Sequence, residues 1–300
     1  MSSAVQSPDT RVGILTQAIR RAAGQLLSQQ DRRGFWWAEL TADTTLESDY
    51  ILLQLWMHPP RGGAGDSPAT REAIGQGGEW NPPTRELIDK AAQSILRRQL
   101  PDGGFNVYVK GPSDISATVK AYFALKLAGI PYDDPRLTRA RERILSLGGI
   151  QAANSYVKIN LSLFDLYPRE YVPSVPPEIT LLGNFLYQMS SWTRAIVVAL
   201  SIVHAHDPKR PVPEGFNLQE LFLPGAPLGF RKSEKTISWR NAFLLLDRGV
   251  KVWERFGVRK IREKAIDEAE RWMIDRFEMS DGLGAIYPPM MYAVMALDVL

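Results

Sequence analysis

Three segments of the chain share one layout, and a layout that recurs restricts the fold more than any single motif. An apolar helix-like stretch runs into a glutamine or polar turn, then glycine, an aromatic residue and a new helix. The first copy is Gln30-Asp31-Arg32-Arg33-Gly34-Phe35-Trp36, leading into a helical pattern over 45–55. The second is Gln99-Leu100-Pro101-Asp102-Gly103-Gly104-Phe105, leading into 115–127. The third is worn: Arg276-Phe277-Glu278-Met279-Ser280-Asp281-Gly282, leading into 288–300. Glycine permits the left-handed backbone that ends a helix. An aromatic ring can then stack on the outgoing turn, and a glutamine amide can bond free peptide groups at the start of the next helix. A unit that recurs in this way predicts stacked helix pairs, an α/α barrel or solenoid.

The rest of the sequence agrees with an all-α fold. Val12, Leu15, Ile19, Ala22 and Leu26 fall at three-and-four spacing, as do Leu87, Ile88, Ala91, Ile95 and Leu96. The stripe returns at Leu137, Ala140, Ile144 and Leu145, and again at Ile261, Ala265, Ala269, Trp272 and Met273. Residues 239–256 are apolar on more than one side, which predicts a helix buried between neighbours. Clean alternation is missing, so a sheet is not expected. Proline and glycine break the chain at 58–83, 167–178 and 207–215, read as a long loop or insertion and two connectors. The apolar helical pattern of 290–300 reaches the last leucine without a glycine cap, a basic last turn or a proline stop, so the sequence is expected to stop in mid-helix.

Composition excludes several functions. The chain has 300 residues and a formal charge of +3, from 36 basic and 33 acidic side chains. A pI near 9.0 suits an anionic membrane surface, but no basic run is interleaved with aromatics, so nucleic acid is not an expected partner. Cysteine is absent, which removes disulfides and thiolate sites. His204-Ala205-His206 places two imidazoles on opposite sides of a helix end, which does not make a metal site, and neither a metal nor an organic cofactor is expected. The polar N-terminus shows no secretory signal and the longest apolar run, 195–200, is too short to span a bilayer. A cytoplasmic protein is expected.

At this point the residues resemble a known family, the squalene–hopene and oxidosqualene cyclases, whose "QW motifs" the three repeats are similar to. Longer segments carry the resemblance further. They are Gly34-Phe35-Trp36-Trp37 followed by Thr45-Leu46-Glu47-Ser48-Asp49-Tyr50, then Asp114-Ile115-Ser116-Ala117-Thr118-Val119-Lys120-Ala121-Tyr122. Val175-Pro176-Pro177-Glu178-Ile179, Met189-Ser190-Ser191-Trp192-Thr193-Arg194 and Gly284-Ala285-Ile286-Tyr287-Pro288-Pro289-Met290 follow in family order. The bacterial squalene–hopene type fits best. The resemblance implies two α/α barrels, one inserted into the other, of which this chain holds an N-terminal portion with the second barrel incomplete. Residues 1–28 would belong to the partner barrel and 29–300 to the inserted one. The missing C-terminal barrel would carry the family's acid, the middle aspartate of an Asp-x-Asp-Asp motif. Here the only adjacent aspartates, Asp133-Asp134, follow Pro131-Tyr132 and fail that pattern. No catalytic acid is expected in this chain.

The chemistry implied is protonation of squalene and polycyclisation to hopene or hopanol, in a dry cavity lined with aromatic faces that stabilise cations. Trp192 would line that cavity, although its spacing alone describes a core tryptophan ahead of the apolar 195–203. Ile286, Tyr287, Pro288 and Tyr292 resemble residues near the end where the final cation is quenched. Tyr287 departs from the glutamine of the hopene-type pattern. Asp49 matches a carboxylate position near the cavity, against the alternative of an exposed helix charge; Glu47, two residues away, faces elsewhere. Trp36, Trp37 and Phe105 belong to the repeats and are expected to be structural.

A further expectation concerns the membrane in which squalene is stored. Phe216, Leu218, Leu221, Phe222 and Leu223, with Arg231, Lys232 and Lys235 behind them, make a pattern of interfacial docking, so a peripheral membrane protein is expected. A homodimer is a further assembly considered. Two alternatives stay open: a cyclase of another polyprenyl or epoxide substrate, and a non-catalytic isoprenoid- or protein-binding helical barrel.

Overall fold

In a computed structural model, residues 8–37, 43–59, 80–210, 212, 214–230, 238–278 and 282–300 are described. Among them all regular structure is helical. The chain forms two compact units, Met1–Thr41 and Ala42–Leu300.

The first unit is the helix α1 (Pro8–Ser28) and its outgoing turn. The apolar stripe on α1 is real but uncovered: Val12, Leu15, Ile19 and Leu26 are all exposed. At the turn Gly34 takes a φ of 91°, the Gln30 amide donates to the Gly34 carbonyl at 2.8 Å, and the Trp36 indole donates to the Leu26 carbonyl at 2.6 Å.

Most helices of the second unit are of two kinds. Those apolar on nearly every side are α2 (Thr45–Met57), α4 (Ile115–Leu127), the short α6 (Ser155–Ser162), α7 (Ser191–His206) and α10 (Tyr287–Val299). The amphipathic ones are α3 (Arg85–Arg97), α5 (Pro135–Ser146) and α9 (Arg259–Ile274). Each amphipathic helix buries a single stripe, such as Leu137, Ala140 and Ile144 on α5, and turns its charges outward. α2 packs on α3 and α4, α4 on α5, α10 on α2 and α7, and α7 on α9. An all-apolar helix must be covered on several sides, and outer helices with one apolar stripe each supply that cover. Helix starts follow from side-chain caps: Asp114, Asp134, Asn154 and Ser190 each accept from a backbone N–H two or three residues on.

The second repeat explains its own residues. Gly103 has a φ of 85°, and a Cβ there would stand 2.6 Å from the Arg139 carbonyl oxygen, so only glycine fits. The Gln99 amide donates to the carbonyls of Gly103 at 2.9 Å and Arg136 at 2.8 Å. It therefore ties its turn to α5, not to the start of α4 as expected, because Asp114 already caps that start. Phe105 is fully buried. In the third repeat Gly282 again has a positive φ, of 82°, while Met279, Ser280 and Asp281 lie outside the described residues. Most of the long loop expected at 58–83 also lies outside them.

One helix corrects the sequence reading. α8 (Trp239–Phe256) is not buried between neighbours; none of its residues is buried. Its polar residues are the ones engaged. Asp247 accepts from the Ser174 backbone N–H at 2.8 Å, Glu254 accepts from the Ser174 hydroxyl at 2.8 Å, and Lys251 pairs with Asp247. Trp239, Phe243, Leu246 and Phe256 are consequently left facing outward.

Candidate functional site

The buried polar cluster of the second unit starts from Asp49. It lies on α2 among Ile51, Leu52 and Leu55 and is 1% exposed, the only carboxylate in the buried class among the described residues. From α4, the Lys120 ammonium reaches both carboxylate oxygens, at 2.8 and 2.9 Å. From α6, the Tyr156 hydroxyl donates to Oδ2 at 2.8 Å. The ammonium also sits over the Tyr156 ring, 4.7 Å from its centre. α10 completes the cluster: Tyr292 meets Tyr156 edge-on with ring centres 6.1 Å apart, and its hydroxyl donates to Asn160 Oδ1. Glu47 faces away, bonded to Ser94 and Arg98 of the α3 side.

Electrostatics follow from this burial. Burial holds the Asp49 carboxyl above the ordinary carboxylate range, and the Lys120 ammonium and the Tyr156 hydroxyl offset part of that rise. Burial, reinforced by the charge of Asp49, pushes the Tyr287 and Tyr292 phenols up, and they stay neutral donors. Two donors remain unused in the cluster's surroundings: the Asn160 amide nitrogen and the Tyr287 hydroxyl are buried with no hydrogen-bond partner among the described residues. A narrow cavity runs between Ser48, Asp49, Lys120, Phe123 and Asn160. The cavity has room for little more than one water, so the cluster is a closely packed polar group within an apolar wall.

Of the residues singled out from the sequence, Asp49 and Tyr292 are brought together here. Tyr287 stands close enough to sense the Asp49 charge, and Ile286 and Pro288, half-buried, flank it at the start of α10. Asp49 is not an exposed helix charge. Trp192 does not join the cluster. It stands in the first turn of α7, 64% exposed, so it is not a core tryptophan either. Leu182, Phe185 and Tyr187, just before it in sequence, are exposed as well. Lys120, Tyr156 and Asn160 were not anticipated as site residues. For Lys120 the signal was present: a lysine inside Ile115–Leu127, a helix otherwise apolar on most sides.

The expected docking segment at 216–230 is corrected. Glu220 accepts from the Tyr122 hydroxyl at 2.9 Å and pairs with Lys126 at 2.7 Å, which fastens the segment onto α4. Leu218 and Leu221 are then buried, and Phe222 is half-buried with its ring stacked on Tyr167 at 5.9 Å. Leu223, also half-buried, exchanges backbone bonds with the Gln151 side chain, and Phe216 is half-buried. These side chains pack inward and do not form an exposed patch. Arg231, Lys232 and Lys235 lie outside the described residues.

The two helix-end histidines are separately engaged. Arg169 donates to His204 Nδ1 at 2.9 Å, and His206 Nδ1 pairs with the Ile202 carbonyl at 2.9 Å. Burial, with Arg169 adding to it, holds the His204 imidazole well below the ordinary histidine range.

Comparison with known proteins bears on the same residues. The sequence model of the family described as "Squalene-hopene cyclase N-terminal domain" matches residues 19–66 and 70–300. Among curated proteins, the squalene–hopene cyclase of Zymomonas mobilis is 34% identical over 94% of this chain and 40% of its own length. That of Alicyclobacillus acidocaldarius is 32% identical over 95% of the chain and 42% of its own length. Dammaradiene synthase of Dryopteris crassirhizoma is 30% identical over 99% of the chain and 40% of its own length. The chain thus spans well under half the length of these relatives.

Proposed function

We propose, for a chain that belongs to the squalene–hopene cyclase family, that its residues form the N-terminal wall of a triterpene cyclase. Squalene is the substrate and hopene or hopanol the product. The observation that carries this reading is the cluster of buried Asp49 and Tyr292 with half-buried Lys120 and Tyr156, set against an apolar α2–α4–α10 wall. A polyene folded in such a site is shielded from water and meets aromatic faces where positive charge develops. The acid that protonates the alkene is assigned to a C-terminal barrel outside these residues, because no Asp-x-Asp-Asp occurs here. The 300 residues alone are inactive in this reading. The repeats act as the family's QW staples, and the apolar stripe of α1 and the exposed face at 182–192 pack against the missing barrel.

Peripheral membrane association is assigned to α8. No helix among the described residues is long and apolar enough to cross a membrane. The outward Trp239, Phe243, Leu246 and Phe256, with Arg240, Arg248 and Arg255 on the same helix, suit an interfacial helix better than a span.

The test is Trp192→Ala in the polypeptide that carries this chain and a C-terminal barrel. Loss of a cation-stabilising face costs roughly 0.5–2 kcal/mol in the transition state, so rate or product pattern should change. In the 300 residues alone, where the side chain is exposed, the same substitution should leave thermal stability unchanged. Trp36→Ala is the control, with lower stability and unchanged products. Unaltered products from Trp192→Ala would remove Trp192 from the cavity.

A further inference from the structure

We propose that Lys120 is the positioning residue that sets the charge of this site, holding Asp49 ionised and fully occupied so that it does not act as a base. The proposal rests on the cyclase reading for its consequence, but its geometry stands by itself. Asp49 is the one buried carboxylate among the described residues. The Lys120 ammonium spans both of its oxygens and the Tyr156 hydroxyl takes a further position on Oδ2. Lys120 is itself fixed, with its side chain 9% exposed and its ammonium over the Tyr156 ring. A buried ammonium held on one carboxylate and one ring face has little freedom to leave.

The consequence lies in how a carbocation ends. It can lose a proton to a base, when the C–H electron pair becomes the new alkene bond and the base carries the proton away. It can instead take up water, forming a C–O bond and releasing a proton from that water. A free carboxylate beside the cation favours the first exit. A carboxylate closed by an ammonium does not, and the neutral pair adds no net positive charge to a site that must tolerate a cation. The other charged or titratable groups around Asp49 cannot replace Lys120. Tyr156 from α6 and Tyr287 and Tyr292 from α10 are neutral phenols, Asp43 ahead of α2 repels, and α3 directs Arg98 to Glu47. Without Lys120 the burial of Asp49 is unopposed by any cation, and the group becomes a neutral acid that ionises only as pH rises.

Two readouts test this. In the first, the chain is labelled with carbon-13 at the aspartate carboxyls, and Asp49 is identified by its loss in Asp49→Asn. The Asp49 transition should lie at distinctly higher pH in Lys120→Gln than in the wild type, because the one cation that opposes its burial is gone. Lys120→Arg should restore the wild-type curve, which a merely space-filling lysine would not require. If Lys120→Gln fails to fold, Tyr156→Phe removes one of the bonds to Oδ2 and should move the transition upward by less. Identical Asp49 titration in the wild type and in whichever of these variants is folded overturns the proposal. In the second readout, the polypeptide with its C-terminal barrel is given squalene. The alkene-to-alcohol ratio should be flat with pH in the wild type and rise roughly threefold or more across the observed Asp49 transition in Lys120→Gln. In the double variant Asp49→Asn/Lys120→Gln it should be flat again. A flat ratio in Lys120→Gln defeats the consequence for the reaction. Absence of any cyclised product from the wild type defeats the cyclase reading instead, and leaves the titration to decide the role of Lys120.

Discussion

His204 shows how a single buried side chain gives the molecule a pH dependence. Its Nδ1 accepts from Arg169, so the imidazole is neutral in the folded state, while in the unfolded chain it protonates normally. A depressed folded pKa means that the unfolded state binds more protons as pH falls. Stability is therefore full above about pH 6.5 and declines below it, by up to about 1.4 kcal/mol per pH unit until the folded pKa is reached. Urea unfolding of wild type and His204→Gln at about pH 7.5 and 5.5 should show a smaller loss in the variant. Equal losses would mean that His204 is not buried neutral. At this scale a family pattern marked Asp49, Tyr287 and Tyr292, and the structure brings the two tyrosines close enough to sense the Asp49 charge. The sequence was not legible for Tyr156 and Asn160, which join the cluster only through the packing of α6 against α4. A tyrosine and an asparagine in an apolar stretch carry no mark of the partner they will meet across a hundred residues.

At the scale of elements, amphipathic helices were read correctly because a single apolar stripe identifies both the helix and its buried side. α3, α5 and α9 follow that rule. Two apolar segments were misread because hydrophobicity alone does not say what covers a surface. Residues 216–230 are drawn inward by the Glu220 bonds to Tyr122 and Lys126, whereas α8 is held by its polar side and turns its apolar side out. The two segments should therefore respond in opposite ways to substitution. Leu221→Ala, at a fully buried position, should cost about 2–5 kcal/mol in chemical unfolding. Phe243→Ser, at a side chain 63% exposed, should change stability by about 0.5 kcal/mol or less and reduce co-sedimentation with lipid vesicles. Unchanged vesicle binding would remove α8 from the membrane account.

For the whole molecule, the repeats and their glycines announced an all-α fold, and all regular structure among the described residues is helical. The division of labour between this chain and a second barrel was expected from the resemblance and remains a reading of exposed surfaces such as α1 and the stretch around Trp192. It places the cavity wall here and the acid elsewhere. The most direct measurement is product analysis after incubating squalene with two purified proteins. One is this 300-residue chain; the other is the polypeptide carrying it together with a C-terminal barrel of the length its relatives have. The account predicts a cyclised triterpene from the second and unchanged squalene from the first. Cyclisation by the 300 residues alone, or unchanged squalene with the longer polypeptide, would contradict it.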